Sequence, residues 1–216
     1  MKKFFYGCLI VFSIFFIAVQ LIGCDIANIK SLASSQISVE IPDGWIKLKE
    51  DDFSIYLPDG WEGGSAQELA SIINTQLQTT PTETNPDNKS LLVFYAYDSK
   101  STSEYVSTNL NVLRAKSELI ALKDYVDKSY QNMSAVSEKT GYKFEIEDQK
   151  IQKMGSYSQV ARTITLQELF GSNIKMAQYI IKDNNAYWVL TFSVNEKDFD
   201  DNIDTFDKSI QTLELV

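Results

Sequence analysis

Histidine, the commonest general base and a frequent zinc ligand, does not occur in this chain of 216 residues. The two cysteines are Cys8 and Cys24, so the part after residue 24 contains no thiol. A histidine-based catalytic triad and a thiolate metal site are therefore excluded there. The sequence also contains neither a Gly-x-Ser-x-Gly elbow nor a glycine-rich phosphate loop. Any chemistry must rest on carboxylates, hydroxyls, lysines or aromatic rings.

Aspartates cluster near the C-terminus in a pattern that invites comparison with a calcium loop. They stand at positions 198, 200, 201, 204 and 207. Counted from Asp198, an EF-hand loop would need glycine at its sixth position and glutamate at its twelfth, where this chain has Ile203 and Ser209. The motif fails, and a solvated helix face is the reading that we favour.

A second group of carboxylates lies on a predicted strand. Glu145 and Glu147 alternate with Phe144 and Ile146, so both carboxylates point to one outward, wet face. A two-carboxylate hydrolase needs one desolvated acid with a raised pKa. Nothing in the neighbouring sequence indicates such burial, and we predict no catalytic residue, no cofactor and no metal.

Trp45 and Trp61 each follow a Pro-Asp-Gly triplet, in the segments IPDGW at 41–45 and LPDGW at 57–61. Proline presets φ, aspartate bonds to its own backbone and glycine takes a positive φ, so each triplet predicts a turn. The two rings could stack on a sugar or another planar ligand, which makes Trp45 and Trp61 a candidate ligand or surface site. The alternative, which we favour, is that each ring closes one end of the core.

The composition indicates a globular, acidic domain. Apolar residues make up 44% of the chain, and the net charge is −9. The segment 1–23 contains two lysines and no acid, so removing two positive charges leaves −11 on the remainder. Because a surface this acidic repels phosphate backbones, we expect no nucleic-acid partner.

The N-terminus has the form of an export signal. Lys2 and Lys3 precede an almost wholly apolar stretch at 4–22, and a small residue stands before Cys24. The stretch is also about 20 residues long, the length that a membrane-spanning helix requires, so an uncleaved span is the alternative. Either interpretation places residues 25–216 outside the cytoplasm.

The segment Leu21-Ile22-Gly23-Cys24 resembles the lipobox of bacterial lipoproteins, although a small residue is commoner than Ile22 at that position. The resemblance implies that residues 1–23 are a cleaved signal peptide and that Cys24 carries a lipid. Residues 24–38 would then be a lipid-anchored tether. The chain would be located at the bacterial cell membrane, on its extracytoplasmic face, where two or more acyl chains anchor stably.

Alternation of apolar and polar residues predicts a series of strands. These cover 53–57, 91–97, 106–112, the neighbourhood of 144–146, 160–166, 176–181 and 187–194. Helical spacing predicts helices at 66–77, near 118–136 and at 199–213, with Ser65 and Asp198 as caps, and 78–90 reads as a loop. We therefore predict one α+β domain at 39–216 with a mostly antiparallel sheet.

Three segments resemble parts of PsbP-like domains. They are FSIYLPDGW at 53–61, NLNV at 109–112, and YWVLTF at 187–192 with the helix that follows. The resemblance spans about residues 45–216 and implies an α-β-α sandwich around an antiparallel sheet. The namesake plant protein is a non-enzymatic lumenal subunit of a photosynthetic membrane complex, and no binding residue carries over.

These observations favour a lipid-anchored, non-enzymatic interaction module. We expect it to dock on a membrane protein or another envelope protein, with the membrane itself contacted through the lipid on Cys24. The alternative is a small-ligand-binding lipoprotein with a pocket near Trp45 and Trp61.

Overall fold

The computed structural model describes most of the region downstream of the tether. The described residues are 39–65, 92–101, 107–116, 120–140, 143–169, 171–183 and 186–216. The predicted signal peptide, tether, helix at 66–77 and loop at 78–90 lie outside the described residues.

The described part contains ten strands and two helices. The strands are β1 (Trp45–Glu50), β2 (Phe53–Pro58), β3 (Trp61–Ser65), β4 (Leu92–Asp98), β5 (Asn109–Lys116), β6 (Phe144–Met154), β7 (Tyr157–Leu169), β8 (Ser172–Asp183), β9 (Ala186–Asn195) and β10 (Glu214–Leu215). The helices are α1 (Leu122–Thr140) and α2 (Phe199–Gln211), and a 3-10 turn (Glu196–Asp198) leads into α2.

Seven of the strands form one antiparallel sheet in the order β3-β4-β5-β9-β8-β7-β6. The other three form a small antiparallel sheet in the order β1-β2-β10. Helices α1 and α2 pack on opposite faces of the large sheet, because their buried residues belong to two separate core clusters. This arrangement confirms the predicted α+β class with its helix–sheet–helix layering. No helix within the described ranges is long and apolar enough to cross a membrane.

Aromatic rings fill the core beneath α2. Phe206 of the helix is fully buried and stacks on Phe192 of β9, with 4.5 Å between ring centroids. Tyr179 and Trp61 meet Phe192 edge-on, at 6.0 and 6.1 Å. The four-and-three spacing of apolar residues along α2 thus places its stripe on the sheet, as predicted.

The core beneath α1 is smaller and more aliphatic. Leu122, Val126 and Met133 of the helix pack against the sheet, and Tyr125 stacks on Tyr187 at 3.8 Å. The helix confirms the predicted pattern of buried residues, although it begins at Leu122 and continues to Thr140.

Asp198 occupies the predicted N-cap position of α2, but its side chain does not cap the helix. Asp198 has φ −101° and ψ 0°, and its side chain makes no capping hydrogen bond. An N-cap residue normally takes an extended conformation so that its side chain can reach back to the free N–H groups. The 3-10 turn that ends at Asp198 prevents that geometry, and the carbonyl of Asp198 instead accepts a bond from Asn202 Nδ2 at 2.7 Å.

Candidate functional site

The two Pro-Asp-Gly turns lie side by side, but their tryptophans have different surroundings. The Asp59 N–H donates to the Gly44 carbonyl at 2.8 Å, which joins the turns. Trp61 is only 5% exposed and belongs to the α2-side core. Trp45 is half-buried, so it is the member of the pair with surface left for a partner.

A groove of about 820 Å³ opens beside the first of these turns. Three parts of the chain line it: the first described residues, the turn between β6 and β7, and the last turn of α2. Val39, Pro42 and Met154 supply apolar surface. The Trp45 N–H donates to the Pro42 carbonyl at 3.3 Å, which fixes the first part at the small sheet. We call this feature the entry groove, because the chain enters the described domain there. Its volume lies in the range of ordinary ligand pockets.

The charge of the entry groove differs from that of the whole chain. Among the described residues that line it, Lys153 and Lys208 stand with one acid, Glu40, whereas the chain as a whole carries −9. Among the described residues, no ion pair within 4 Å engages either lysine. Lys208 also lies in the last turn of α2, where a cation interacts favourably with the helix dipole.

Gly155 holds the wall of the groove in place. It has φ 54°, and a Cβ built on it would lie 2.4 Å from the Gln211 carbonyl oxygen. Only glycine allows the β6–β7 turn to approach the end of α2 so closely. Nearby, the Tyr157 hydroxyl donates to the Leu213 carbonyl at 3.3 Å, and burial raises the pKa of Tyr157 to about 12.

A buried ionic cluster lies between α2 and the sheet. Arg162 of β7 has an 11% exposed side chain and donates to Asp207 at 2.7 Å and to Asp148 at 3.1 Å. The Tyr179 hydroxyl donates to the other oxygen of Asp207 at 2.7 Å. Burial opposes the charge of Arg162, but the two carboxylates outweigh it and raise its pKa. Burial, followed by the charge of Asp207, also raises the pKa of Tyr179. These contacts join Asp207 of α2 to side chains of the sheet and so hold the helix on it.

The two carboxylates of the predicted pair on β6, Glu145 and Glu147, have different surroundings. Glu145 is exposed, while Glu147 lies at a register shift of the strand and bonds to Lys175 Nζ at 2.6 Å. Lys175 in turn lies over the ring of Phe199 at 4.8 Å. The predicted pair therefore consists of one exposed carboxylate and one that a lysine engages. Within the described ranges, no group of three or more potential ligands is close enough to hold a metal ion.

Comparison with known proteins supports the fold but gives little else. No protein-family model matches the sequence, and no curated protein matches it. The solution structure of cyanobacterial PsbP (CyanoP) from Synechocystis sp. PCC 6803 is similar, with a TM-score of 0.53 and 12% sequence identity. That match covers 91% of this chain and 99% of the cyanobacterial one. The chain therefore has a PsbP-like fold.

Two further solved structures are more distant. LpqN of Mycobacterium tuberculosis, described as involved in cell envelope biogenesis, has a TM-score of 0.45 and 10% identity, over 80% of this chain and 90% of LpqN. The Pseudomonas aeruginosa immunity protein TplEi, solved with an "L" peptide, has a TM-score of 0.46 and 11% identity, over 80% of this chain and 98% of that protein. Similarities this low carry no argument about function.

Sequence reasoning missed the entry groove. Its two lysines are separated by more than fifty positions and come from a strand and a helix. No local motif joins them, although the Pro-Asp-Gly turn that contains Pro42 is a part of the groove that the sequence does mark.

Proposed function

We propose that this chain is a lipid-anchored, extracytoplasmic interaction module without enzymatic activity, which docks on a membrane or envelope protein. The observation that carries the proposal is the entry groove, a basic recess on an acidic protein at the point where the described domain begins. The PsbP-like fold supports the same class, although fold alone is weak support for a function.

The polar groups buried beneath α2 support a structural rather than a catalytic use. Arg162, Asp207 and Tyr179 bond to one another across the helix–sheet interface. A catalytic group needs a free face toward a substrate and a pKa near the working pH. The Tyr179 hydroxyl keeps its proton, and Arg162 keeps its charge, over the whole physiological range.

The position of the groove suits a partner in or near the same membrane. If Cys24 carries the lipid, the tether at 24–38 reaches at most about 50 Å when fully extended. The groove opens beside Val39, directly after that tether, so it stays within that distance of the bilayer surface. Lys153 and Lys208 suit a partner segment with an acidic side chain, and Val39, Pro42 and Met154 suit an apolar neighbour of that acid.

Docking is tested by charge reversal in the groove. The full-length chain and its Lys208→Glu variant are crosslinked in intact cells, and the captured proteins are identified by mass spectrometry. Lys197→Glu is the matched control, because Lys197 is exposed just before the start of α2 and changes the net charge equally. We expect Lys208→Glu to lose a partner that Lys197→Glu retains. Equal capture by all three proteins would refute docking through this groove.

The anchor is tested separately. Mass spectrometry of the protein extracted from membranes should show that residues 1–23 are absent and that Cys24 carries acyl chains. The Cys24→Ala variant should keep its N-terminal segment. A wild-type protein that still begins at Met1 would favour the membrane span instead.

A second candidate is a small-ligand-binding lipoprotein with a pocket near Trp45 and Trp61. The hydrogen bond that joins the two turns favours it, together with the contact of Trp45 with groove-lining Pro42. Because Trp61 and Trp188 are buried, a ligand in the groove should change mainly the fluorescence of Trp45. The change should disappear in Trp45→Phe, and a response that survives this substitution would argue against the pocket.

A further inference from the structure

Strand β6 is the outermost strand at one side of the seven-stranded sheet, in the part of the chain that the structure describes. It has 11 residues and pairs with β7 along its inner side. The outer side of such a strand presents a row of backbone N–H and C=O groups to which a further strand can be added. At the opposite side of the sheet, β3 has only five residues, and two of them are glycines. β6 is therefore the better edge for pairing with another strand.

The edge strand also exposes apolar side chains. Of the three exposed large apolar side chains in the described ranges, two lie on β6: Ile146 is 40% exposed and Ile151 is 41% exposed. Ile151 lies opposite Ala161 of the α1-side core, and Ile146 lies opposite Thr165, four residues further along β7. Both isoleucines therefore lie on the α1 face of the sheet. They share this face although they are five positions apart, because the register shift just after Ile146 inserts an extra residue.

The charges of β6 are divided between its two halves. Glu145, Glu147 and Asp148 lie in the first half, and Lys150 and Lys153 lie in the second. Charged side chains at an edge usually discourage pairing with other strands. This arrangement, however, is complementary to itself: an antiparallel second copy of β6 would lie with its basic half beside the acidic half of the first. A parallel copy would bring like charges together.

An axis through Gln149 brings opposite charges into register. Antiparallel pairing about that residue would place Asp148 of each copy opposite Lys150 of the other. Both lie on the α2 face, because their partners on β7 are Ile164 of the α2-side core and Arg162, which bonds to α2. Lys150 is exposed, and none of the ion pairs within 4 Å in the described segments engages it.

The same axis brings the exposed isoleucines together. The extra residue after Ile146 moves the pairing by one position, so Ile146 of each copy would lie opposite Ile151 of the other. Both side chains are on the α1 face, where an apolar pair across two strands is stabilising. One register thus matches the charges on one face and covers the apolar side chains on the other.

We infer that β6 pairs antiparallel with β6 of a second copy of this chain, about a two-fold axis at Gln149, and so joins two seven-stranded sheets. Each contact occurs twice in such a dimer, which is why the edge must be complementary to itself. The paired segment, 146–151, ends before Lys153 and Met154 of the entry groove. The dimer goes beyond the docking proposed above and does not depend on it.

The pairing is tested by oxidising the full-length Gln149→Cys variant in intact cells. Gln149 is exposed, and the axis brings its two copies within about 4.5–5.5 Å between Cα atoms, a distance that a disulfide spans. Glu145→Cys is the matched control, because Glu145 is exposed on the same strand but its two copies would be more than about 20 Å apart. We expect a disulfide-linked dimer from Gln149→Cys alone. The unchanged chain shows any crosslink through Cys8 or Cys24.

A charge reversal tests whether the charges select the second copy. Analytical ultracentrifugation of the full-length chain in detergent measures the dissociation constant of the dimer. Lys150→Glu should weaken the dimer at least about tenfold, because the two-fold axis turns both attractive pairs into repulsive ones. Lys49→Glu changes the net charge equally at an exposed position of the small sheet, and it should leave the dimer unchanged. Circular dichroism checks that both variants are folded.

Four results would overturn the inference. The first is equal crosslinking of Gln149→Cys and Glu145→Cys. The second is an unchanged chain that stays monomeric at every concentration. The third is the same dissociation constant for Lys150→Glu and Lys49→Glu. The fourth is a disulfide between Gln149→Cys and a different protein in place of a second copy, which would assign the edge to a strand of another partner.

Discussion

The two faces of the seven-stranded sheet are filled in different ways. Beneath α2, Phe192, Phe206 and Tyr179 form a continuous aromatic core beside the Arg162 ionic cluster. Beneath α1, aliphatic residues pack under the helix, and polar side chains follow toward β4 and β5. Both faces thus contain buried polar groups, but only the second leaves neutral amide and hydroxyl oxygens without partners in the described chain.

The difference separates charged side chains that bond to one another from neutral side chains that are buried with a hydrogen bond unmade. Arg162 is bonded to Asp207 and Asp148, and its cluster closes on itself except for Nε. Asn111 and Ser193 are neutral side chains on adjacent strands, and Asn111 Oδ1 and Ser193 Oγ are the atoms without a hydrogen bond. A neutral group costs less to leave unpaired than a charged one, so the domain tolerates such atoms on the α1 face.

The largest expected effect comes from the aromatic core. Phe206→Ala should lower the free energy of unfolding by about 3–5 kcal/mol, because it opens a cavity against Phe192. Met133→Ala, on the α1 face, should cost less, about 2 kcal/mol, since fewer apolar neighbours surround it. Asp204→Ala is the control on the exposed side of α2. Urea unfolding of the full-length protein measures all three, and an equal cost for Phe206→Ala and Met133→Ala would contradict the contrast between faces.

The next largest loss of stability is expected from changes in the ionic cluster of Arg162, Asp207 and Asp148. Arg162→Met should cost about 2–3 kcal/mol, because it leaves Asp207 and Asp148 near each other without a cation. Asp148→Asn should cost much less, since the Asp148 side chain is 44% exposed and the Arg162–Asp207 pair remains. Chemical unfolding again measures both. Indistinguishable values for the two variants would show that the cluster does not pin the helix.

Much of the fold could be predicted because its strands and its last helix bury one clear face. The residues Phe53, Ile55 and Leu57 mark β2, and the spacing of apolar residues alone reveals the stripe along α2. β1 was missed although Ile46 and Leu48 alternate with lysines. β3 was missed because Gly63 and Gly64 interrupt its pattern; Gly63 lies so close to β4 that a built Cβ would be 2.3 Å from the Tyr95 carbonyl oxygen.

The sites could not be predicted in the same way, because strand register decides them. In the segment 109–112, asparagines alternate with Leu110 and Val112, which is enough to predict a strand with one polar face. That face becomes part of a polar row across three strands only when β4 and β9 place Tyr95 and Thr191 on either side of Asn111. Pairing of distant strands is a property of the whole fold, and a local pattern does not contain it.

Gly155 and Gly171 both have a positive φ, and comparing them tests how firmly the β6–β7 turn is held against α2. Gly155→Ala should cost about 2 kcal/mol, because a positive φ is combined with a collision against Gln211. Gly171→Ala should cost only about 1 kcal/mol, since Gly171 has φ 78° but nothing within 4 Å of a built Cβ. Thermal melts measure the pair. Equal costs would mean that the β6–β7 turn can move away from α2, and that the wall of the entry groove is not fixed.

The smallest effect is expected from an ion pair at the surface, which is the counterpart of the buried Arg162 cluster. Glu214 of β10 accepts hydrogen bonds from Lys47 Nζ at 2.7 Å and from Ser54 Oγ at 2.8 Å. The bond from Lys47, followed by that from Ser54, lowers the pKa of Glu214 below its ordinary value of 4.5. The bond to Glu214 raises the pKa of Lys47 above 10.5. A carboxyl whose pKa is lower in the folded state stabilises the protein above the unfolded value and loses that contribution as the pH falls through the folded one.

Glu214→Gln should therefore reduce the free energy of unfolding near neutral pH by less than about 1 kcal/mol, since the two side chains are 37% and 60% exposed. The difference from wild type should shrink as the pH falls below 4.5, where Glu214 becomes protonated in both states. On the alkaline side, it should shrink as the pH rises through the raised pKa of Lys47. Urea unfolding at a series of pH values measures these changes. A difference that stays constant well below pH 4.5 would show that the contact acts through packing rather than charge, and the surface pair would then differ in kind from the buried cluster.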